Sequence, residues 1–349
     1  MRAVMLFSAG KDPKLTELPD PVPGPGEVLV AMRACGLCGS DVHIVEGSTV
    51  TARLPIVLGH EASGIVAALG PADEDGAGTA LAVGDRVTVN PMITCGTCRL
   101  CFTGRQNYCP GIRILGLHVD GAHAELVTVP ARNLVKLPAG VDFPLGAIVA
   151  DAIATPLRAI LSANVEPGTP VAVFGLGGLG LHAAMLLDQI FGAEVIGVDA
   201  SDTQLERAAS FGVRTVLDGR HPRVSDEIRR ITGDGVTASF EFVGALPVVE
   251  QAVRSLAHNG TCTIVGVGPE RLQLSLRQET LVARGLRILG SHGYVTADIR
   301  QLLDWISTGR LRIGTTVSHQ FPLAGYASAL DTLRDRSANA IRVVITNSG

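Results

Sequence analysis

The sequence lacks a surplus of positive charge. Lys and Arg number 29 against 33 Asp and Glu, for a formal net charge of −4, so the composition gives no electrostatic footprint for nucleic acid. It also lacks an apolar run long and uninterrupted enough to span a bilayer. The first residues, MRAVMLF, lack the longer apolar core and small-residue cleavage site of a signal peptide. We therefore expect a cytoplasmic protein with neither a nucleic-acid nor a membrane partner, whose thiols stay reduced.

The length and texture of the chain predict two domains of the α/β class. A chain of 349 residues is long for one compact core. Residues 1–147 read as short strands and turns rich in Gly and Pro, whereas from residue 170 short apolar strands alternate with amphipathic helices. That alternation predicts a doubly wound parallel sheet over 148–291. Because the tail returns to mixed texture and ends in a strand at 341–345, we expect 292–349 to rejoin the β-rich first domain.

Four of the seven cysteines form a compact cluster in the sequence. They follow the spacing C-x2-C-x2-C-x7-C, at Cys95, Cys98, Cys101 and Cys109. Four thiolates close a tetrahedral zinc shell and leave no position for substrate, so the spacing predicts a structural zinc. Two disulfides or four unrelated buried cysteines are the alternatives, but adjacent C-x2-C pairs in a protein that is not secreted suit one metal better. Of the other three cysteines, Cys38 is considered below, and Cys35 and Cys262 are expected in the core.

A glycine-rich turn predicts a dinucleotide site. The segment GLGGLG at 175–180 follows a strand and opens a helix, which places Gly175, Gly177, Gly178, Leu179 and Gly180 where a pyrophosphate would bind. Gly175 permits the tight turn, Gly177 lets the backbone approach the phosphates, and Gly180 lets helix and strand pack closely. Asp199 ends the next strand, at the distance expected of a carboxylate that binds the adenosine ribose. Its charge would repel a 2′-phosphate, so NAD is favoured over NADP.

Three further residues are candidate ligands of a catalytic zinc. Cys38, His60 and Asp151 would supply one thiolate, one imidazole and one carboxylate, which leaves the fourth position open for water or a substrate oxygen. They lie far apart in the chain, so their spacing alone does not establish the site, and a lone His or Cys is more often a core residue.

Taken together, these motifs resemble those of the zinc-containing medium-chain alcohol dehydrogenases. The features that carry the resemblance are the glycine-rich segment around Cys38, the GHE triplet at 59–61, the four-cysteine cluster, the GLGGLG turn and Asp199. Their order and spacing match over essentially the whole chain, with a pattern nearest to bacterial secondary-alcohol dehydrogenases. The resemblance implies a GroES-like catalytic domain, a Rossmann domain, and zinc- and NAD(P)-dependent alcohol oxidation or carbonyl reduction.

The resemblance also implies roles for the zinc ligands and their neighbours. Cys38 and His60 are similar to the first two catalytic ligands of the family. Asp151 occupies the place of the third, where many members have Cys, others Glu, and bacterial secondary-alcohol dehydrogenases Asp. Glu61 would act as an alternate ligand, and Asp41 would accept a hydrogen bond from the far nitrogen of His60.

A second group of implied roles concerns proton transfer and the cofactor. Ser40 would hold the substrate hydroxyl and His43 would pass its proton to solvent. Thr155 matches a family residue that touches the nicotinamide. Arg342 matches a family residue that lies near the pyrophosphate and near the residue equivalent to Glu61. The sequence departs from the family at Gly39, where some members carry a basic residue, and it lacks the lysine often found shortly after the ribose-binding carboxylate.

Three functions stay open from the sequence. The first is a secondary-alcohol/ketone oxidoreductase, supported chiefly by Asp151. The second is a polyol or amino-alcohol dehydrogenase, a branch that the stretch GLHVDG at 116–121 resembles. The third is a non-catalytic zinc-scaffold protein, which should have lost one of the zinc ligands. The family further implies a homodimer or homotetramer, with the strand near 287–290 as a possible pairing edge. For His118 and His123 an approach to the substrate pocket is one alternative, and a surface or loop position is the expected one.

Overall fold

The computed structural model describes residues 1–49, 53–71 and 81–347, which form two compact units. The first unit comprises Met1–Ala154, Tyr294–Gly309 and Gly314–Gly349, and the second comprises Thr155–Gly293 with Arg310–Ile313. The first is rich in strands, and the second alternates strands with helices, so the α/β fold class predicted from the sequence is confirmed. The domain limits predicted at residues 147 and 292 stay a prediction.

Short strands dominate the N-terminal part of the chain, as its Gly- and Pro-rich texture predicts. These strands are β1 (Arg2–Leu6), β2 (Lys14–Glu17), β3 (Glu27–Leu37), β4 (Ile56–Val57), β5 (Glu61–Leu69), β6 (Arg86–Val89), β7 (Met92–Ile93), β8 (Arg113–Ile114), β9 (Leu126–Pro130) and β10 (Leu134–Lys136). The helices are α1 (Gly39–Glu46), α2 (Arg99–Phe102) and α3 (Phe143–Ile148).

The remainder of the chain alternates strands and helices before it returns to the first unit. Its strands are β11 (Pro170–Phe174), β12 (Glu194–Asp199), β13 (Thr215–Asp218), β14 (Val236–Glu241), β15 (Leu256–Ile264), β16 (Arg287–Gly290), β17 (Val317–Pro322) and β18 (Arg342–Thr346). Its helices are α4 (Ala154–Ala163), α5 (Gly178–Gln189), α6 (Asp202–Ser210), α7 (Val224–Thr232), α8 (Leu246–Arg254), α9 (Gln278–Ala283), α10 (Thr296–Ser307) and α11 (Tyr326–Arg334).

The second unit is built on a parallel six-stranded sheet. Its strand order is β13-β12-β11-β14-β15-β16, which is the doubly wound arrangement that the sequence predicts. Val171–Phe174 are all buried because helices pack on both faces of such a sheet. The order reverses between β11 and β14, and ligands of open α/β sheets bind at that switch point, beyond the carboxyl ends of the strands.

The first unit is built on a mixed sheet that gathers residues from both ends of the chain. Strands run in the order β10-β6-β5-β3-β18-β17, with β9 also paired to β3. The C-terminal strand β18 is antiparallel to β3, with Val343 opposite Leu37. Strand β5 pairs with β3 on its other side, with Glu61 opposite Gly36. The end of β3, the start of β5 and the start of β18 therefore meet at one place in the sheet.

A helix covers Phe143–Ala163, and its middle turn is widened. Asp142 caps its start by accepting a hydrogen bond from the Leu145 amide, and Val149–Ile153 form a π turn between α3 and α4. π turns inside α-helices occur frequently at functional sites. Among the described residues, this helix alone is long and apolar enough to cross a membrane. However, 72% of its most apolar window is buried inside the protein, as in the core helix of a globular protein.

Candidate functional site

Three separate elements of the first unit bring the proposed zinc ligands together. Cys38 follows β3 and occupies the N-cap of α1, His60 directly precedes β5, and Asp151 lies in the π turn. The Cys38 Sγ lies 3.5 Å from Asp151 Oδ2, and the His60 Nε2 lies 3.9 Å from the same oxygen. With Glu61, one ligand atom from each residue falls within 4.8 Å of all the others. The fold thus assembles residues that lie up to 113 positions apart in the sequence.

The donor set and its charges fit a zinc ion. A thiol, an imidazole and a carboxylate are ordinary zinc ligands, and three of them leave one position open. Burial raises the pKa of the Cys38 thiol, and the charge of Asp151 raises it further, so the thiolate is disfavoured without a cation. Burial alone would lower the pKa of His60, but the charges and hydrogen bonds of Asp41 and Cys38 together outweigh burial and raise that pKa. A bound divalent cation in place of these protons would satisfy all three groups.

The side chain of Asp41 contacts both Cys38 and His60. Its carboxylate is fully buried. Oδ2 accepts a hydrogen bond from the Cys38 amide at 3.0 Å, while Oδ1 lies 3.6 Å from His60 Nδ1. Carboxylates at this position fix the ring orientation of metal-bound histidines. Nδ1 of His60 therefore faces Asp41, and Nε2 faces Cys38 and Asp151.

Glu61 forms a buried ion pair beside this cluster. The Arg342 Nη2 donates to Glu61 Oε1, and the two side chains are 4% and 0% exposed. Burial raises the pKa of Glu61 to about 7, although the charge of Arg342 opposes that rise. A Cβ at Gly36 would overlap the Glu61 carboxylate, so a glycine at this position of β3 leaves room for the pair. The implied contact between Arg342 and Glu61 is present, and the contact of Arg342 with the pyrophosphate stays a prediction.

Ser40 and His43 lie three residues apart on α1, and both are exposed. Residues at this spacing share one side of a helix. The Ser40 Oγ lies 3.7 Å from the Cys38 Sγ. The Ser48 hydroxyl lies 3.2 Å from His43 Nδ1 and 3.1 Å from the His43 carbonyl oxygen. This placement suits a route from the cluster to solvent.

The four-cysteine cluster is compact, and its cysteines are all free. One Sγ from each of Cys95, Cys98, Cys101 and Cys109 lies within 4.8 Å of the others, between the short strands β7 and β8. Backbone amides of Thr97 and Cys98 lower the pKa of Cys95 to about 6, which favours the thiolate that zinc requires. The arrangement fits one tetrahedral metal rather than two disulfides. Cys35 and Cys262 are buried, as expected of core residues.

The glycine-rich turn of the second unit has the geometry that its sequence predicts. Gly175 adopts φ +86° at the end of β11, and a Cβ at Gly180 would overlap the Gly175 carbonyl oxygen. A Cβ at Gly177 would meet open space, so the backbone there is accessible to a phosphate. Asp199 accepts hydrogen bonds from the Leu176 amide at 2.6 Å and the Ser201 amide at 2.8 Å. The carboxylate thereby fixes the glycine turn, a contact that sequence reasoning did not identify.

Some residues lie in places that the sequence did not indicate. His123 lies in a loop, as expected, but it is fully buried there rather than at the surface, with Nε2 4.0 Å from Asp41 Oδ2. Tyr294 is also buried, and burial followed by the charges of Asp151 and Glu61 raises the pKa of its hydroxyl well above the ordinary value. The sequence signal for the burial of His123 is the alanine on each side, Ala122 and Ala124, both of which are buried. Thr155 is buried in α4, and its contact with nicotinamide stays a prediction.

Comparison with known proteins identifies the family. Residues 24–139 match the alcohol dehydrogenase GroES-like domain, and residues 178–308 match the zinc-binding dehydrogenase family. An alcohol dehydrogenase of Geobacillus stearothermophilus is 30% identical over 99% of both chains. The chain belongs to the zinc-containing medium-chain alcohol dehydrogenase family. It is a zinc-dependent NAD alcohol dehydrogenase, as the sequence predicted.

Other relatives span a range of substrates and cofactors. The L-threonine 3-dehydrogenase of Saccharopolyspora erythraea is 30% identical over 96% of both chains. A zinc-binding dehydrogenase of Sinorhizobium meliloti, solved bound to NADP, is 30% identical over 99% of both chains with a TM-score of 0.89. The family, and with it zinc and a nicotinamide dinucleotide as cofactors, is therefore established for this chain. The relatives differ in the alcohol substrate that their names specify.

Proposed function

We propose that the enzyme transfers hydride between NAD(H) and a secondary alcohol/ketone pair. The observation that carries this proposal is the convergence of Cys38, His60 and Asp151 within one 4.8 Å cluster. An aspartate as the third ligand is the feature by which the sequence resembles bacterial secondary-alcohol dehydrogenases. Because these ligands leave one position open, a substrate oxygen has a place to bind.

The proposed chemistry assigns a task to each group of residues. Zinc held by Cys38, His60 and Asp151 would supply a Lewis acid that eases deprotonation of a hydroxyl, and NAD would supply the hydride acceptor. Ser40 would accept the hydrogen bond of the substrate hydroxyl, since its Oγ lies close to the Cys38 sulfur. His43, exposed to solvent on the same helix, would release the proton to water.

The remaining residues of the cluster position these groups. Asp41 orients the His60 ring through Nδ1. Glu61 would act as an alternate ligand, and Arg342 would restrain it, because their side chains are joined by a hydrogen bond. These roles are proposals that rest on the geometry of the first unit and on the family resemblance.

Cofactor binding is proposed at the carboxyl end of the parallel sheet. Gly175, Gly177 and Gly180 would let the backbone of 175–180, with Gly178 and Leu179 at the helix start, approach the pyrophosphate. Asp199 would accept hydrogen bonds from the ribose hydroxyls while it keeps its contact with the turn. Its negative charge supports NAD rather than NADP as the preferred cofactor. Thr155 would contact the nicotinamide.

A second candidate substrate class is the amino alcohols and polyols. Two observations favour it: a relative named L-threonine 3-dehydrogenase is as similar as the alcohol dehydrogenase, and the stretch 116–121 resembles that branch. The end of that stretch pairs with residues 57–59, directly before His60: the amides of Gly121 and the following Ala122 donate to the carbonyl oxygens of Val57 and Gly59. A non-catalytic scaffold should have lost Cys38, His60 or the open coordination position, and the chain retains both residues.

A substrate panel distinguishes these candidates. The zinc-replete enzyme is assayed for NADH production with simple secondary alcohols, primary alcohols, polyols and threonine, with NADP tested in parallel. We expect the highest kcat/KM with secondary alcohols and NAD. Turnover confined to threonine or polyols would refute the secondary-alcohol proposal in favour of the second candidate. Cys38→Ser is the control for contaminating activity, because it should abolish turnover while NADH binding, measured by fluorescence, persists.

We further propose that the enzyme is a homodimer or homotetramer. Strand β16 is an edge of the six-stranded sheet, and a sheet edge is a place where a second copy can pair across a two-fold axis. Sedimentation velocity measures the state directly, and a monomer at micromolar concentration would contradict the proposal. The cytoplasmic location stays a prediction.

A further inference from the structure

A buried histidine on the 116–123 loop approaches the zinc site from behind. The backbone of this loop pairs with the zinc-ligand segment: the His123 amide donates to the Leu58 carbonyl oxygen at 2.8 Å, and the Ala122 amide donates to that of Gly59 at 2.9 Å. The His123 carbonyl oxygen accepts from the Val4 amide at 2.8 Å. These bonds fix the backbone of His123 on both sides, so the direction of its side chain is determined.

The imidazole of His123 occupies a packed position. A Cβ at Gly59 would lie 2.7 Å from the ring, which is closer than side chains approach, and Gly59 adopts φ +99°. The ring also makes an edge-to-face contact with Tyr326, with centroids 5.0 Å apart. Packing alone would be served equally well by phenylalanine, because none of these contacts uses a ring nitrogen.

The ring nitrogens find their polar counterpart in Asp41. His123 Nε2 lies 4.0 Å from Asp41 Oδ2, and both groups are fully buried. Among the described residues, neither ring nitrogen has a partner within hydrogen-bond distance, and neither does Asp41 Oδ1. An unpartnered buried polar group is costly, so a buried imidazole N–H is favoured beside a buried carboxylate.

We infer that His123 is a positioning residue for the catalytic zinc site, acting through Asp41. Its Nε2 faces Asp41 Oδ2 at 4.0 Å, an ion-pair distance rather than a hydrogen-bond distance, and the Cys38 amide and His60 face the same carboxylate, so that Asp41 lies between two imidazoles. An imidazole carries a proton on Nε2 in one neutral tautomer and in the charged form, so the donor role does not depend on its charge. A fixed Asp41 keeps the His60 ring in the orientation that presents Nε2 to the metal. The inference rests on the proposed assignment of His60 as a zinc ligand.

Two substitutions of His123 separate a polar role of its ring N–H toward Asp41 from a packing role of the ring. His123→Phe keeps the aromatic contact with Tyr326 and removes the donor, whereas His123→Gln keeps a side-chain N–H near the position of Nε2 and removes the ring. The readout is the affinity for zinc, measured by competition with a chromophoric chelator, with the four-cysteine site as an internal reference. His118→Phe is the matched control, because His118 lies on the same loop and its Nδ1 accepts a hydrogen bond from the Ile114 amide, away from Asp41.

The expected result is opposite for the two variants. Loss of a partner behind a metal ligand typically lowers metal affinity by about 10–100-fold, so His123→Phe should weaken zinc binding at the Cys38, His60 and Asp151 site by about 10-fold or more. His123→Gln should stay within about threefold of the parent, given that it retains the donor. Unchanged affinity in His123→Phe, or equal losses in both variants, would overturn the inference. A parent enzyme that binds a single zinc would instead refute the proposed catalytic site, so the two failures are distinguishable.

Discussion

Replacing Arg342 by methionine tests the energetics of the ion pair beside the zinc site. Arg342 is 4% exposed and Glu61 is fully buried, so Arg342→Met removes the cation beside a buried carboxyl group. Because the pKa of Glu61 is already raised to about 7 and loses the opposing effect of Arg342, uptake of a proton near neutral pH limits the cost. Removing one partner of a buried ion pair costs about 3–5 kcal/mol. One hydrogen bond joins the pair, and Glu61 Oε2 already has no partner among the described residues. We therefore expect the lower end of that range, about 3 kcal/mol.

Thermal unfolding followed by circular dichroism measures the effect. In a unit of 150–250 residues, each kcal/mol lowers Tm by about 2–4 °C, so Arg342→Met should lower the transition of the first unit by about 6–12 °C. The double variant with Glu61→Gln should recover most of this loss, since it leaves no buried charge. Arg220→Met is the control, because Arg220 forms its ion pair with Asp202 on the surface, and its Tm should be nearly unchanged.

The double variant also decides whether the reasoning is correct. If Glu61→Gln and Arg342→Met produced additive losses of Tm, the two side chains would not be coupled. The carboxylate would then not depend on the guanidinium, and the assigned energetics of the pair would be wrong.

Three further predictions concern the second unit. Gly180→Ala places a methyl group against the Gly175 carbonyl oxygen and should lower both Tm and NAD affinity, whereas Gly177→Ala meets open space and should raise KM for NAD at unchanged Tm; equal Tm losses would contradict this contrast. Burial raises the pKa of Glu241, with a smaller opposing effect of two backbone amides. Because the carboxyl pKa is higher in the folded state than in the unfolded state (about 4.5), the contribution of Glu241 to the free energy of unfolding is complete below pH 4.5 and is lost as pH rises through the folded pKa. Glu241→Gln should therefore flatten the fall of Tm between those two pH values. Parallel curves of Tm against pH for the variant and the parent would contradict this prediction. Asp199→Gly should raise KM for NAD by at least about 10-fold and narrow the preference over NADP, measured by steady-state kinetics, and an unchanged preference would exclude its ribose role.

The motifs that the sequence predicted most directly are local ones. The four cysteines fall within 15 residues of chain and the glycine turn within six. In both cases neighbouring residues along the chain are also neighbours in space, because a short loop or a strand-turn-helix unit has few ways to fold. The alternation of apolar strands and helices gave the parallel sheet for the same reason, since its period is read directly from the sequence.

The catalytic cluster could be proposed only with the help of family resemblance. Cys38 and Asp151 are 113 residues apart, and Glu61 and Arg342 are 281 apart. No periodicity or spacing joins such residues, since their distance depends on how β3, β5 and β18 pair in one sheet. The π turn that carries Asp151 could not be predicted either, because the apolar sequence around Asp151 has the same pattern as an ordinary buried α-helix.

Sequence therefore determined by itself the identity of the donors: thiols in a C-x2-C pattern, glycines at a turn, and a carboxylate at a strand end. Chemistry that depends on residue type and short-range geometry is encoded at that level. Tertiary structure alone decided which donors meet and which side chains lie behind them. His123 shows the difference: its sequence context suggested a loop, but the pairing of that loop with residues 57–59 buries it beside Asp41. The reason is physical, because burial and partner choice follow from long-range strand pairing rather than from the residues next in the chain.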